Sequence, residues 1–178
     1  GHPRAQLFMG LSFLEGFGDL AEDPTEASKW VSLSAEKGEA GAQELLGWLY
    51  LDGTGVQQSY KKAVFWSLNA AKQEDADAQV RVASFYLRGL GTEKDLTQAA
   101  YWYRKAAEQG NADAALSTLK DITDPAFEGA VKEVKGDVLV AQEKFDDARM
   151  AYSEALEANS GNMLLEMKLD NLPVAAAK

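Results

Sequence analysis

The chain has 178 residues, with 28 acidic side chains against 18 basic ones and a net charge of −10 at pH 7. That length holds one domain or two small ones, and 46% hydrophobic with 26% charged residues supplies a packed core rather than disorder. The negative charge repels phosphate backbones and excludes a nucleic-acid binder. The lack of Cys and the single His2 exclude disulfides, thiolate nucleophiles, zinc clusters and Ser-His triads, and no apolar run reaches the roughly 18 residues that a membrane span needs.

The dominant pattern is internal repetition, which is sought before any local reading. Trp30, Trp66 and Trp102 stand 36 residues apart, as do Ala27, Ala63, Ala99 and Ala35, Ala71, Ala107. A glycine pair recurs as Gly16 and Gly18, Gly53 and Gly55, Gly89 and Gly91, with one extra residue between Gly18 and Ala27. An insertion confined to a loop is what stacked repeats tolerate. Within each unit the pattern is two helices. Ala42, Leu45, Leu46, Leu49 and Tyr50 recur at three- and four-residue steps and give one apolar face. The run stops at Asp52-Gly53-Thr54-Gly55, where glycine relieves the cost of positive φ past a helix end. Ala63, Phe65, Trp66, Ala70 and Ala71 then mark a second helix, with the periodic tryptophans expected in the core. One hairpin cannot bury both of its faces, so the units must stack.

These residues resemble the Sel1-like repeat. Ala42-Gln43, Leu46-Gly47, Tyr50, Gly53-Thr54-Gly55-Val56, Ala63, Trp66 and Ala70-Ala71 carry the resemblance in the second unit. In the third unit Ala78-Gln79, Tyr86, Gly89-Leu90-Gly91, Ala99, Trp102, Ala106-Ala107 and Gly110 carry it, with Ala83 where the pattern has glycine. Ala5-Gln6, Gly10, Gly16, Gly18, Ala27, Trp30 and Ala35 carry it in the first.

After Gly110 the pattern breaks, since Leu119 stands where a fourth glycine would fall. Asp124-Pro125 starts a new helix, with Pro preset for its first turn. Gly136, Ala148, Tyr152 and Ala155 are spaced as in a tetratricopeptide unit, which predicts helices over 125–142 and 145–158. A last helix from Met163 to Leu172, stopped by Pro173, caps the stack. Residues from Ala112 to Leu172 also resemble the C-terminal end of YfgM-type proteins. That resemblance implies an inner-membrane-anchored bacterial protein accompanying the Sec translocon and periplasmic chaperones, and hence a periplasmic setting.

The predicted fold is an all-α, right-handed α-solenoid of about ten antiparallel helices. Its expected divisions are three Sel1-like repeats over 1–111, a shared junction helix over 112–121, and a tetratricopeptide-like pair with a capping helix over 122–178. Ala112, Ala115, Leu116 and Leu119 give the junction one apolar stripe. Two repeat families meeting in one helix, and the alignment of Gly1–Gln6 with Gly38–Gln43, raise the reading of an engineered chimera beside that of a natural mixed-repeat fragment.

No catalytic, metal or cofactor-binding residue is assigned. Asp52-Gly53-Thr54-Gly55 has the look of an aspartyl-protease loop, but its equivalents Glu15-Gly16-Phe17-Gly18 and Arg88-Gly89-Leu90-Gly91 make it a helix-end turn. Ser59-x-x-Lys62 and Ser117-x-x-Lys120 match a penicillin-recognising pattern without its companion motifs. Some Sel1-like proteins are linked to β-lactam binding, which keeps a β-lactam-binding enzyme as a minor alternative. The main expectation is a monomeric, non-enzymatic scaffold for a protein or peptide. Trp48 falls outside the 36-residue pattern, one position after the close-packed Gly47, where tetratricopeptide-type stacks face their concave groove. The candidate partner-binding face is Leu7, Leu11, Glu44, Trp48, Val80, Arg81, Ser84, Arg88, Glu133 and Asp137, with Arg4 nearby. The alternative is a periplasmic chaperone-like partner of the secretion machinery.

Overall fold

A computed structural model describes residues 1–173. The ten α-helices among them are α1 (Pro3–Glu15), α2 (Pro24–Ala35), α3 (Ala40–Asp52), α4 (Tyr60–Ala71), α5 (Ala76–Arg88), α6 (Leu96–Ala106), α7 (Ala112–Lys120), α8 (Glu128–Ala141), α9 (Phe145–Ala158) and α10 (Met163–Asp170). The chain forms an all-helical solenoid. Hairpins α1/α2, α3/α4, α5/α6 and α8/α9 form the units, and α2 packs on α3, α4 on α5 and α9 on α10.

Short polar side chains start the helices. Asp23, Ser59, Asp75 and Asp95 accept the N–H groups of Glu26, Lys62, Ala78 and Gln98, donors that the helix itself leaves unpaired. Ser59, the first residue of one S-x-x-K pattern, is thereby a helix cap. Gly53 and Gly89 end α3 and α5 in the left-handed region at φ of 86° and 69°.

Small residues set the spacing within each hairpin. A Cβ on Gly10 would strike Val31, one on Gly47 would strike Ser67, and one on Gly136 would strike the Tyr152 ring. Ala83 is fully buried at the matching place in α5, opposite the fully buried Tyr103 of α6.

Between hairpins the contact is both apolar and polar. Ala42, Leu46 and Leu49 of α3 join Val31 and Ala35 of α2 in one cluster. A ladder of buried glutamines runs alongside. Gln43 Nε2 donates to the Ala35 carbonyl at 3.1 Å, and Gln79 Nε2 to the Ala71 carbonyl at 3.2 Å. Their Oε1 atoms accept from Gln73 and Gln109 at 2.8 and 2.9 Å. Gln6 Oε1 accepts from Lys37 Nζ at 2.8 Å in the same way.

The junction has its own geometry. α6 leads through a kinked turn, Ala107–Asn111, with Gly110 left-handed at φ 87°, into the nine-residue α7. Ala112, Ala115 and Leu119 of α7 are buried and Leu116 is partly so. α7 touches α5, α6 and α8, yet α8 makes the larger contact with α6, occupying the place that α3 has on α2 and α5 on α4. One apolar cluster runs from Ala70 in α4 to Val138 in α8, so the core has no seam at this point.

Three sequence-based expectations are corrected. The helix expected over 125–142 is a 3-10 turn, Pro125–Phe127, followed by α8. Asp124 caps Ala126, and Phe127 at φ −107°, ψ −1° interrupts regular helix. The last helix stops at Asp170, short of Leu172. Of the periodic tryptophans only Trp102 is buried, while Trp30 and Trp66 are half-buried. Phe65 and Tyr101 stack edge-on against Trp66 and Trp102 alike and remain on the surface.

The turn between units needs a left-handed residue. Gly38 and Gly110 supply it at φ 86° and 87°, but Glu74, midway between them in sequence, takes φ 67°. A side chain there costs roughly 1 kcal/mol that glycine avoids. Glu74→Gly is therefore expected to raise stability by about 0.5–1 kcal/mol, read as a higher midpoint in thermal or urea unfolding. An unchanged or lower midpoint contradicts the strain assignment.

Candidate functional site

The first helix of each hairpin carries the candidate face. Leu11, Trp48 and Ser84 occupy equivalent positions in α1, α3 and α5, each one residue after Gly10, Gly47 or Ala83. The small residue faces the partner helix, so the next side chain turns away from it. Leu11 is 38% exposed and Trp48 39%, and Ser84 is half-buried. Leu7 is half-buried against the cluster of α2 and α3, Arg88 is exposed, and Arg4 is exposed.

Beside Trp48 the face is locked by an ion pair. Arg81 Nη2 lies 2.6 Å from Glu44 Oε1, and Arg81 Nη1 donates to the Glu44 carbonyl at 3.2 Å. The pair is about four-fifths buried and ties α3 to α5. Val80 is corrected: it is buried at 9% within the main core and offers nothing to a partner. Val80 matches Glu44 in the 36-residue repeat, but as an apolar side chain it packs into the main core cluster, whereas Glu44 stays half-buried beside Arg81.

In the second half, Glu133 and Asp137 of α8 are covered by α10. Lys168 Nζ reaches Glu133 Oε1 at 2.8 Å and Asp137 Oδ2 at 2.9 Å. Tyr152 Oη donates to Asp137 Oδ1 at 2.7 Å. Burial works against the Lys168 charge, but attraction to Asp137 and hydrogen bonds to both carboxylates outweigh it, so its pKa stands above the ordinary 10.5. Burial, then the negative charge of Asp137, which accepts its hydrogen bond, push the Tyr152 hydroxyl up. In α6, burial likewise raises Tyr103, opposed by Ser84 and Arg88 beside it.

A cleft of about 500 Å³ opens between α6, α8 and α10, bordered by Leu96, Tyr101, Arg104, Asp137, Leu164 and Lys168. Sequence reading gave Glu133 and Asp137 but not the lysine that neutralises them. The only signal for Lys168 was its place in the terminal helix.

Among the described residues no group of three or more His, Asp or Glu side chains is placed to hold a metal ion, and no helix is long and apolar enough to cross a membrane. Asp52 pairs with Thr54 within its own turn, and Ser117 is exposed on α7.

Family comparison fits this architecture. A model described as a tetratricopeptide repeat-like domain matches residues 57–174. The chain belongs to the tetratricopeptide repeat-like family. A Sel1 repeat matches residues 3–39 of the same chain. The tetratricopeptide-like match thus begins within the second 36-residue unit and passes through the junction without interruption. This tetratricopeptide-like solenoid is similar to the crystal structure of a Sel1 repeat protein from Oxalobacter formigenes, at 26% identity and a TM-score of 0.62, over 94% of this chain and 75% of that one. It is also similar to a protective antigen of uropathogenic Escherichia coli strains that displays an SLR fold, at 30% identity and a TM-score of 0.63, over 95% of this chain and 33% of that one. The chain therefore spans about a third of the antigen's length. No curated protein matches it.

The Lys168 bridge makes a sign-definite prediction. Its folded pKa is raised, so its stabilisation is fully present below the unfolded value and is lost as pH rises through the folded value, above 10.5. Lys168→Ala leaves two largely buried carboxylates uncompensated and is expected to cost about 1–3 kcal/mol at neutral pH. The loss relative to the parent should shrink above that pKa. Urea melts at neutral and strongly alkaline pH check it, and a pH-independent difference refutes it.

Proposed function

We infer that the chain is a non-enzymatic scaffold that holds a peptide or a protein segment on the face presented by α1, α3 and α5. The observation that carries this is Trp48. It is a large aromatic side chain left 39% exposed on a helix whose neighbouring positions Leu46, Gly47 and Leu49 are buried. Leu11 lies at the matching position in α1, and Arg88 ends the same face of α5. Exposed tryptophan beside aliphatic and arginine side chains is the composition from which binding hot spots are made. The Glu44–Arg81 pair holds the two central helices in register, so little ordering is left to be done on binding.

The electrostatics of the second half support a division of labour. Glu133 and Asp137 already have a cation in Lys168, so the ligand-holding surface of this reading is Leu7, Leu11, Trp48, Ser84 and Arg88 rather than the full length of the chain. The comparisons agree with an interaction role at the level of repeat architecture, since stacked helix pairs create extended surfaces.

A displayed random-peptide library panned on the folded chain tests the reading. Selected peptides should lose roughly 30-fold or more in affinity against Trp48→Ala, the scale of a hot spot. The same substitution should lower stability far less than Trp102→Ala, a core truncation of about 3–5 kcal/mol. Peptides that bind parent and Trp48→Ala alike, or equal stability losses for the two tryptophans, refute it.

A further inference from the structure

Two tyrosines hold the same place in their hairpins and meet different surroundings. Tyr152 of α9 packs against Gly136 of α8, and Tyr103 of α6 lies opposite Ala83 of α5. Both rings are buried, at 2% and 0% exposure. In each hairpin the hydroxyl comes up beside the residue that follows the small one, Asp137 for Tyr152 and Ser84 for Tyr103. In α8 and α9 the arrangement is complete. Tyr152 Oη donates to Asp137 Oδ1 at 2.7 Å, and Lys168 Nζ lies 2.9 Å from the other oxygen, Oδ2. One carboxylate is thus shared by a buried hydroxyl and a cation.

Around Tyr103 the hydroxyl and the cation are present without the carboxylate. Ser84 is shorter than aspartate and carries no charge. Arg88, one turn further along α5, is exposed and brings its charge to bear on the Tyr103 hydroxyl. Among the described residues Arg88 forms no ion pair, and Tyr103 Oη has no hydrogen-bond partner. A buried hydroxyl without a partner is costly, and such a group calls for an explanation. Arg88 also suits the last turn of α5 through the helix dipole, but that role leaves the Tyr103 hydroxyl unexplained.

We propose that Ser84, Arg88 and Tyr103 form a subsite for an acidic side chain, Asp or Glu, of the bound segment, which there takes the part that Asp137 plays toward Tyr152 and Lys168. The proposal rests on the reading that α1, α3 and α5 hold a partner, and it specifies that partner's chemistry: an apolar group for Trp48 and Leu11, and one acid for the neighbouring repeat. Arg88 supplies the charge and a planar fork of donors that matches a carboxylate. The Ser84 side chain turns about a single bond to admit the carboxylate to Tyr103 Oη. Arg81 does not compete for it, because Glu44 already neutralises that guanidinium. The net charge of −10 repels strongly acidic partners, so the fit is for a single acid among apolar neighbours. A side chain is the natural source, since the internal counterpart, Asp137, is one.

The first test needs no ligand. Ser84→Asp supplies the acid from within the chain and is expected to raise the thermal midpoint by about 2–4 °C. Part of that gain comes from an i,i+4 pair with Arg88, so Tyr103→Phe is the deciding companion. It should leave the parent chain unchanged or more stable, because it removes an unpaired hydroxyl, and should lower the midpoint of the Ser84→Asp chain. Equal effects of Tyr103→Phe in the two backgrounds, or a Ser84→Asp chain less stable than the parent, overturn the proposal. The second test uses the library peptides whose binding depends on Trp48. Replacing their acidic residue by its amide should weaken binding to the parent by about tenfold or more and leave binding to Arg88→Gln unchanged. Ser84→Asp should weaken the acid-bearing peptides to the same extent. Trp48-dependent peptides that are indifferent to the acid overturn the subsite and leave the scaffold reading standing. Dependence on the peptide's C-terminal carboxylate instead of a side chain also overturns it. A library that yields no Trp48-dependent peptide sinks both readings.

Discussion

The stacking of the first three hairpins depends on how the ends of α2 and α4 are met by the next hairpin. A helix leaves its last carbonyls without partners inside the helix, and at Ala35 and Ala71 the following turn supplies one, from the Gly38 and Glu74 N–H groups at 3.0 and 3.1 Å. Gln43 and Gln79 each bring the same carbonyl a second donor from the next hairpin, and accept from Gln73 and Gln109 in the turn that follows their own hairpin. The apolar contact between hairpins is slippery by itself, because alanines fit many registers. The glutamines remove that freedom. They convert a greasy stack into one with a fixed pitch.

Much of the fold was legible because periodic residues do periodic work. The 36-residue spacing of Trp, Ala and Gly follows directly from hairpins of equal length, and glycine at 53, 55, 89 and 91 is demanded by positive φ. What was not legible lies where the period fails to constrain the residue. Glu74 occupies a left-handed position that Gly38 and Gly110 would have led one to expect as glycine. Val80 and Glu44 hold the same place in the repeat and face different surroundings. The contact of α8 with α6 past the short α7 was also not read from the sequence, since it depends on how the kink at Gly110 and the short α7 redirect the chain.

The candidate site divides along the same line. Trp48 stood out in sequence because it broke the pattern, and the structure leaves it accessible. Glu133 and Asp137 looked like part of the same open face. Their neutralisation by Lys168, a residue more than 30 positions further on, is a tertiary fact that only the docking of α10 reveals. The two groups of candidate residues thus differ in kind: Leu11 and Trp48 leave apolar surface exposed, whereas Glu133 and Asp137 are bridged by Lys168.

The largest apolar cluster lies in the middle of the chain, from Ala70 to Val138, while the clusters around α2 and α3 and around α9 and α10 are smaller. In a stack where each hairpin leans only on its neighbours, cohesion is then graded along the axis. A protease, or a mechanical pull on the termini, meets its weakest resistance at the two ends. The segment between α4 and α8, which holds that cluster, is the keel of the stack.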